Sequence, residues 1–122
     1  MSKSAYNERS RLKPRDEKAK EIKKVGLSLG LLEAIIGVII RYMEPSRIII
    51  FGSRARGDYK KTSDIDIAID CKDDVGFPSE ILDEDIPTLL KFNVVQFRKV
   101  NKELRKEIIK EGIVIYEKGH AD

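Results

Sequence analysis

Residues 64–70 read Asp-Ile-Asp-Ile-Ala-Ile-Asp. Such alternation fits one local structure. In a β-strand successive side chains point to opposite faces, so the isoleucines share one face and the carboxylates the other. A strand needs partners, and the chain supplies three more short runs rich in β-branched and aromatic residues: Arg47 to Phe51, Phe92 to Phe97 and Ile113 to Tyr116. Helical patterns lie between them. Leu29, Leu32, Ile35, Ile36, Ile39 and Met43 recur at threes and fours, which predicts a helix from about Asp16 or Ser28 to Met43, stopped by Pro45. Pro78 to Leu90 suits a second helix with proline near its first turn. Asn101 to Glu111 is amphipathic and ends at Gly112 as its cap. With a short helix after residue 52, the order α, β, α, β, α, β, α, β predicts an α/β domain with one small sheet.

The 122 residues are enough for one such domain and not for two. Residues 25–122 are expected to form it. Residues 1–24 are expected to be a basic arm leading into the first helix, with nine lysines and arginines against four acids. Such an arm suits an acidic partner or nucleic acid, although charge runs more often only solvate a surface. A nucleic-acid binder is the weaker expectation, because aromatic residues for base stacking are few. The apolar stretch Leu27 to Ile40 is too short to span a bilayer. No secretory signal is evident, and Cys71 is the only cysteine, so a reducing cytoplasm is expected. His120 is the only histidine. Catalysis must therefore rely on carboxylates, hydroxyls and bound ions.

Two motifs carry that chemistry. Asp64 and Asp66 lie two apart on a strand, about 6.5 Å between Cα atoms, and aim the same way. Such a pair suits Mg²⁺, which takes one or two protein carboxylates and completes its shell with water and phosphate oxygens. Upstream, Gly52-Ser53 leaves a buried strand and opens a short helix, where backbone amides and the serine hydroxyl can receive a phosphate. Arg54 and Arg56 are expected to clamp phosphate oxygens. Each motif alone is common, an Asp-x-Asp most often being a solvent face. Adjacent strands delivering both place cation and phosphate side by side, as phosphoryl and nucleotidyl transfer require.

The segment IIIFGSRARGDYKKTSDIDIAID, residues 48–70, resembles the signature of the DNA polymerase beta-like nucleotidyltransferases, most closely the minimal, antitoxin-type members. The resemblance covers roughly residues 30–117 and implies a nucleotidyltransferase fold, a small mixed sheet flanked by helices. It implies that Asp64, Asp66 and Ser53 are catalytic and that Gly52, Ser53, Arg54, Arg56 and Ser63 contact the nucleotide. It further implies that Asp64 and Asp66 bind two Mg²⁺ ions and that ATP is the donor. In the antitoxin branch AMP passes to a tyrosine hydroxyl of a helical HEPN toxin, which implies a hetero-oligomer. One position departs from the pattern. Where the family places a third metal-binding aspartate, this chain has Asn93. An amide oxygen can ligate a cation but brings no charge and cannot act as a base. The alternative expectation is therefore a protein of the same fold that is weak or inactive in catalysis and neutralises a partner by occlusion.

Overall fold

A computed structural model describes residues 22, 24–72, 76–77 and 79–119. The basic arm lies outside them apart from Ile22 and Lys24, as does His120. The elements follow the expected order: α1 (Leu29–Tyr42), β1 (Arg47–Phe51), α2 (Ser53–Arg56), β2 (Ile65–Asp70), α3 (Ser79–Asp85), β3 (Phe92–Gln96), α4 (Lys102–Glu111) and β4 (Ile113–Glu117). The four strands form one mixed sheet in the order β3-β2-β1-β4. β1 is antiparallel to β2 and β4, while β2 and β3 are parallel.

Local sequence accounts for the helix ends. The Ser28 side chain accepts a hydrogen bond from the Leu31 amide at 3.0 Å and starts α1. Asn101 does the same for α4, accepting from the Leu104 amide at 2.8 Å. α3 is shorter than its apolar pattern suggested. Pro87 restricts the backbone before it and has no N–H to donate, and the helix ends at Asp85. Gly112 sits at the end of α4 as expected, but in extended backbone at φ −69° rather than in a left-handed cap. Glycine is needed there because a Cβ would strike the Ile108 carbonyl and the Ile49 side chain.

The alternation in β2 becomes two unequal faces. Ile65, Ile67 and Ile69 join Ile48 and Ile50 of β1 under Leu32, Ile35, Val38 and Ile39 of α1, with Leu82 of α3 alongside. These aliphatic side chains are essentially excluded from water. At about 25 cal/mol per Å² of apolar surface, they supply most of the fold's driving force. The other face is thinner: Ile49, Phe51, Ala68, Phe97 and Ile108 make a small second cluster beneath α4. The carboxylates of β2 belong to this face, at its two ends. Among the described residues, no helix is long and apolar enough to cross a membrane.

Candidate active site

Strand register assembles the motif. Phe51, the last residue of β1, lies opposite Asp66, and Asp66 lies opposite Asn93 of β3. Gly52, Asp66 and Asn93 therefore come from three neighbouring strands at one end of the sheet. Asp64 sits just before β2 and is exposed, Asp66 is half-buried and Asn93 is exposed.

The Asn93 amide joins the two carboxylates. Its Nδ2 donates to Asp64 Oδ2 at 3.0 Å and to Asp66 Oδ1 at 2.9 Å. Both bonds are charge-assisted, and they hold in convergence two anions that otherwise repel. A point about 3 Å from both carboxylates therefore exists. Mg²⁺–oxygen distances are about 2.0–2.1 Å. Asp64 and Asp66 would hold such an ion, with the Asn93 amide oxygen as a third ligand. The donor set fits a hard divalent cation: two carboxylates, an amide oxygen and open solvent for water or phosphate. Among the described residues, no group of three or more histidine, cysteine or acidic side chains is arranged around a common metal position. The candidate site is thus poorer in charge than a three-carboxylate centre.

Gly52 is required twice over. Its φ of +77° is one that side-chain-bearing residues rarely adopt. A Cβ on Gly52 would also collide with Asp66 Oδ2. The glycine anticipated as room for a phosphate also makes room for a carboxylate. Ser53 follows it, half-buried, at the start of α2, where geometry leaves the first amides without helical acceptors.

Arg54 has a different task from the one its sequence position suggested. Its side chain is 1% exposed. Nε donates to the Ser63 carbonyl at 3.2 Å, Nη1 to the Val25 carbonyl at 2.8 Å, and Nη2 to the carbonyls of Lys61 and Ser63 at 3.1 Å each. The guanidinium also lies 4.9 Å from the centre of the Tyr59 ring. Burial lowers its pKa from the ordinary arginine value, opposed by Tyr59. With its donors taken by the main chain, Arg54 is a staple rather than a phosphate clamp. It binds the approach to α1 and the loop before Asp64 onto the glycine-serine turn.

Ser63 belongs to the same staple. Its carbonyl accepts from Arg54, and its Oγ accepts from the Lys60 amide at 2.8 Å, closing the turn that delivers Asp64. Arg56 reaches the other way, to Asp58 at 3.3 Å and to Glu107 and Glu111 of α4 at 3.7 and 3.5 Å. These partly exposed pairs tie α2 to α4.

Asp70 shares a strand face with Asp66 but is already neutralised. Arg47 Nε donates to its Oδ2 at 3.0 Å and Arg98 Nε to its Oδ1 at 2.6 Å. Burial acts to raise the pKa of this carboxyl. The hydrogen bonds from Arg98 and Arg47 outweigh it, and the net direction is downward. Asp83, Glu84 and Asp85 of α3 lie across the sheet, where Asp85 pairs with Arg41 at 3.5 Å. They do not replace the missing third carboxylate. A cavity of about 230 Å³, lined by Met43, Ile69, Phe77, Val94 and Arg98 among others, opens near the Asp70 end, away from the motif.

Residues 33–121 match the family model described as polymerase beta nucleotidyltransferase. A relative from Methanocaldococcus jannaschii, provisionally named a protein adenylyltransferase, is 39% identical over 80 residues, covering 57% of this chain and 77% of its own. A solved structure described as a toxin-antitoxin with AMP-PNP superposes with a TM-score of 0.62 at 22% identity, over 70% of this chain and 73% of the other. A provisionally named nucleotidyltransferase from Sulfolobus solfataricus superposes with a TM-score of 0.50 at 26% identity, over 80% and 87%. The four-stranded sheet and its sequence therefore have a family: the chain belongs to the polymerase beta nucleotidyltransferases.

Proposed function

We propose that this protein transfers AMP from ATP to a hydroxyl of a partner protein, at the site formed by Gly52, Ser53, Asp64 and Asp66. The observation that carries the reading is the convergence of Asp64 and Asp66 on one point beside the Gly52-Ser53 turn. Ser53 and the first amides of α2 would receive the triphosphate. Mg²⁺, when bound, would neutralise charge on the phosphate oxygens and favour departure of pyrophosphate. The acceptor oxygen attacks the α-phosphorus, the bond from that phosphorus to the bridging oxygen of pyrophosphate breaks, and the hydroxyl proton leaves to a base. Asp64 or Asp66 would accept it, since Asn93 has no basic site. Arg54 and Ser63 act through the loop that presents Asp64 rather than on the nucleotide.

A protein acceptor accords with the name of the 39% identical relative. The motif's resemblance to antitoxin-type members suggests a helical HEPN toxin as that acceptor and a hetero-oligomer as the working assembly. A second reading is favoured by Asn93: binding and occlusion of the partner with little or no transfer. The two separate in one experiment. The protein, its Asp64→Ala variant and the partner are incubated with ATP and Mg²⁺, and the partner's mass and activity are followed. Transfer predicts an added AMP and silencing that both vanish in Asp64→Ala. Silencing that persists in Asp64→Ala without added mass would establish occlusion and overturn transfer.

A further inference from the structure

We propose that the Asn93 amide stands in for a cation between Asp64 and Asp66, so that this site takes a divalent ion only together with the nucleotide. The inference rests on reading the two aspartates as the cation ligands, and it concerns how that site is filled.

The argument starts from charge. Asp64 and Asp66 converge on one spot, and their repulsion favours divergence unless something positive lies between them. The Asn93 Nδ2 lies there, 3.0 Å from one carboxylate and 2.9 Å from the other. Its two N–H groups supply the positive ends of dipoles, one to each anion. The site is therefore held ready with no ion bound. The register Asp66↔Asn93 on parallel strands sets one half of this arrangement, and the turn pinned by Arg54 and Ser63 sets the other by presenting Asp64.

Readiness brings a cost to free-ion binding. Asn93 must release both hydrogen bonds and rotate before an ion can lie between the carboxylates, and afterwards it offers only a neutral oxygen. Two carboxylates and one amide make a weak host for Mg²⁺, which gives up water reluctantly. The missing charge is present on a triphosphate. A nucleotide arriving with its own Mg²⁺ contributes the anionic oxygens that a third carboxylate would otherwise supply. In Asn93→Asp the balance reverses. Three carboxylates without donors between them repel in the ion-free protein and attract the free ion strongly.

The test uses the full chain, its Asn93→Asp and Asn93→Ala variants, and two readouts that require no turnover. Melting is measured in EDTA, in Mg²⁺ alone and in Mg²⁺ with ATP; free Mn²⁺ is titrated by electron paramagnetic resonance. Wild type is expected to melt alike in EDTA and Mg²⁺ and to rise by several degrees only with Mg²⁺ and ATP together. Asn93→Asp should melt below wild type in EDTA, recover with Mg²⁺ alone and bind Mn²⁺ at least tenfold more tightly. Asn93→Ala should also melt lower in EDTA but regain less with the metal, which separates the amide's bridging from mere packing. Equal Mn²⁺ affinity in wild type and Asn93→Asp overturns the proposal, as does an Asn93→Asp protein that matches wild type in EDTA. Absence of any ATP response while the EDTA and Mn²⁺ differences hold would sink the nucleotide reading and the joint-filling claim. It would leave the amide's stand-in role supported.

Discussion

Asp66 and Asp70 lie four residues apart on the same face of the same strand, yet the protein treats them in opposite ways. Asp70 is buried and held by two guanidinium groups. Its charge is consumed in joining β1, β2 and the turn after β3. Asp66 is half-buried and receives a neutral amide. Its charge is organised but not cancelled. A carboxylate becomes available to a cation through what its neighbours leave unneutralised, and the strand's pattern alone does not distinguish the two ends. The neighbours do: arginines at positions 47 and 98 near one end, asparagine at position 93 at the other.

The largest expected way to break this contrast lies at Arg54. Arg54→Ala would leave the carbonyls of Val25, Lys61 and Ser63 without their donor and open a void under Tyr59. A loss of about 3 kcal/mol or more is expected in chemical denaturation, since buried polar groups left unpaired cost about 1–3 kcal/mol each and relaxation recovers part. If Arg54→Ala unfolds like wild type, the guanidinium is not the staple that geometry indicates.

Asp70→Ala comes next. It strands two partly exposed arginines, so the expected cost is about 2 kcal/mol, below the 3–5 kcal/mol of a fully buried pair. It should leave the Mg²⁺-ATP response intact. The same carboxyl gives a pH dependence. Its folded-state pKa lies below the unfolded value, so its contribution is complete above the ordinary aspartate pKa of about 3.9 and is lost as pH falls toward the lowered folded value. Acid unfolding followed by circular dichroism should therefore be less steep in Asp70→Ala through that window. An unchanged profile would mean that the ion pair contributes nothing.

The smallest stability effect is expected at the other end of the strand. Asp66→Asn removes a charge that meets a neutral amide donor, so the melting temperature should move by no more than the equivalent of about 0.5 kcal/mol. The Mg²⁺-ATP response should nevertheless disappear. Asp66→Asn destabilised as much as Asp70→Ala would erase the distinction between the two ends.

These contrasts also mark how far residues alone could be followed. The strands, the capped helices and the proximity of the glycine turn to the paired aspartates were legible from periodicity and spacing. The early end of α3 was legible in principle, because Pro87 stands inside the pattern that runs to Leu90. The destination of Arg54 was not. A long side chain goes wherever unpaired acceptors lie, and one of these, the Val25 carbonyl, is 29 residues away in sequence and brought near only by the fold. The difference between Asp66 and Asp70 was hidden for the same reason, because Arg47 meets Asp70 only once the β1–β2 register is set.

The contact between Gly52 and the Asp66 carboxylate has a consequence for how such a protein can diverge over time. Position 52 tolerates no side chain, since both its backbone angle and the neighbouring carboxylate forbid one. Inheritance at that site is locked by shape. Position 93 stands exposed on the edge strand of the sheet, with room to change. Shape therefore leaves position 93 open to exchange while the frame around it stays fixed, at the expense of the bridge its amide makes between the two aspartates.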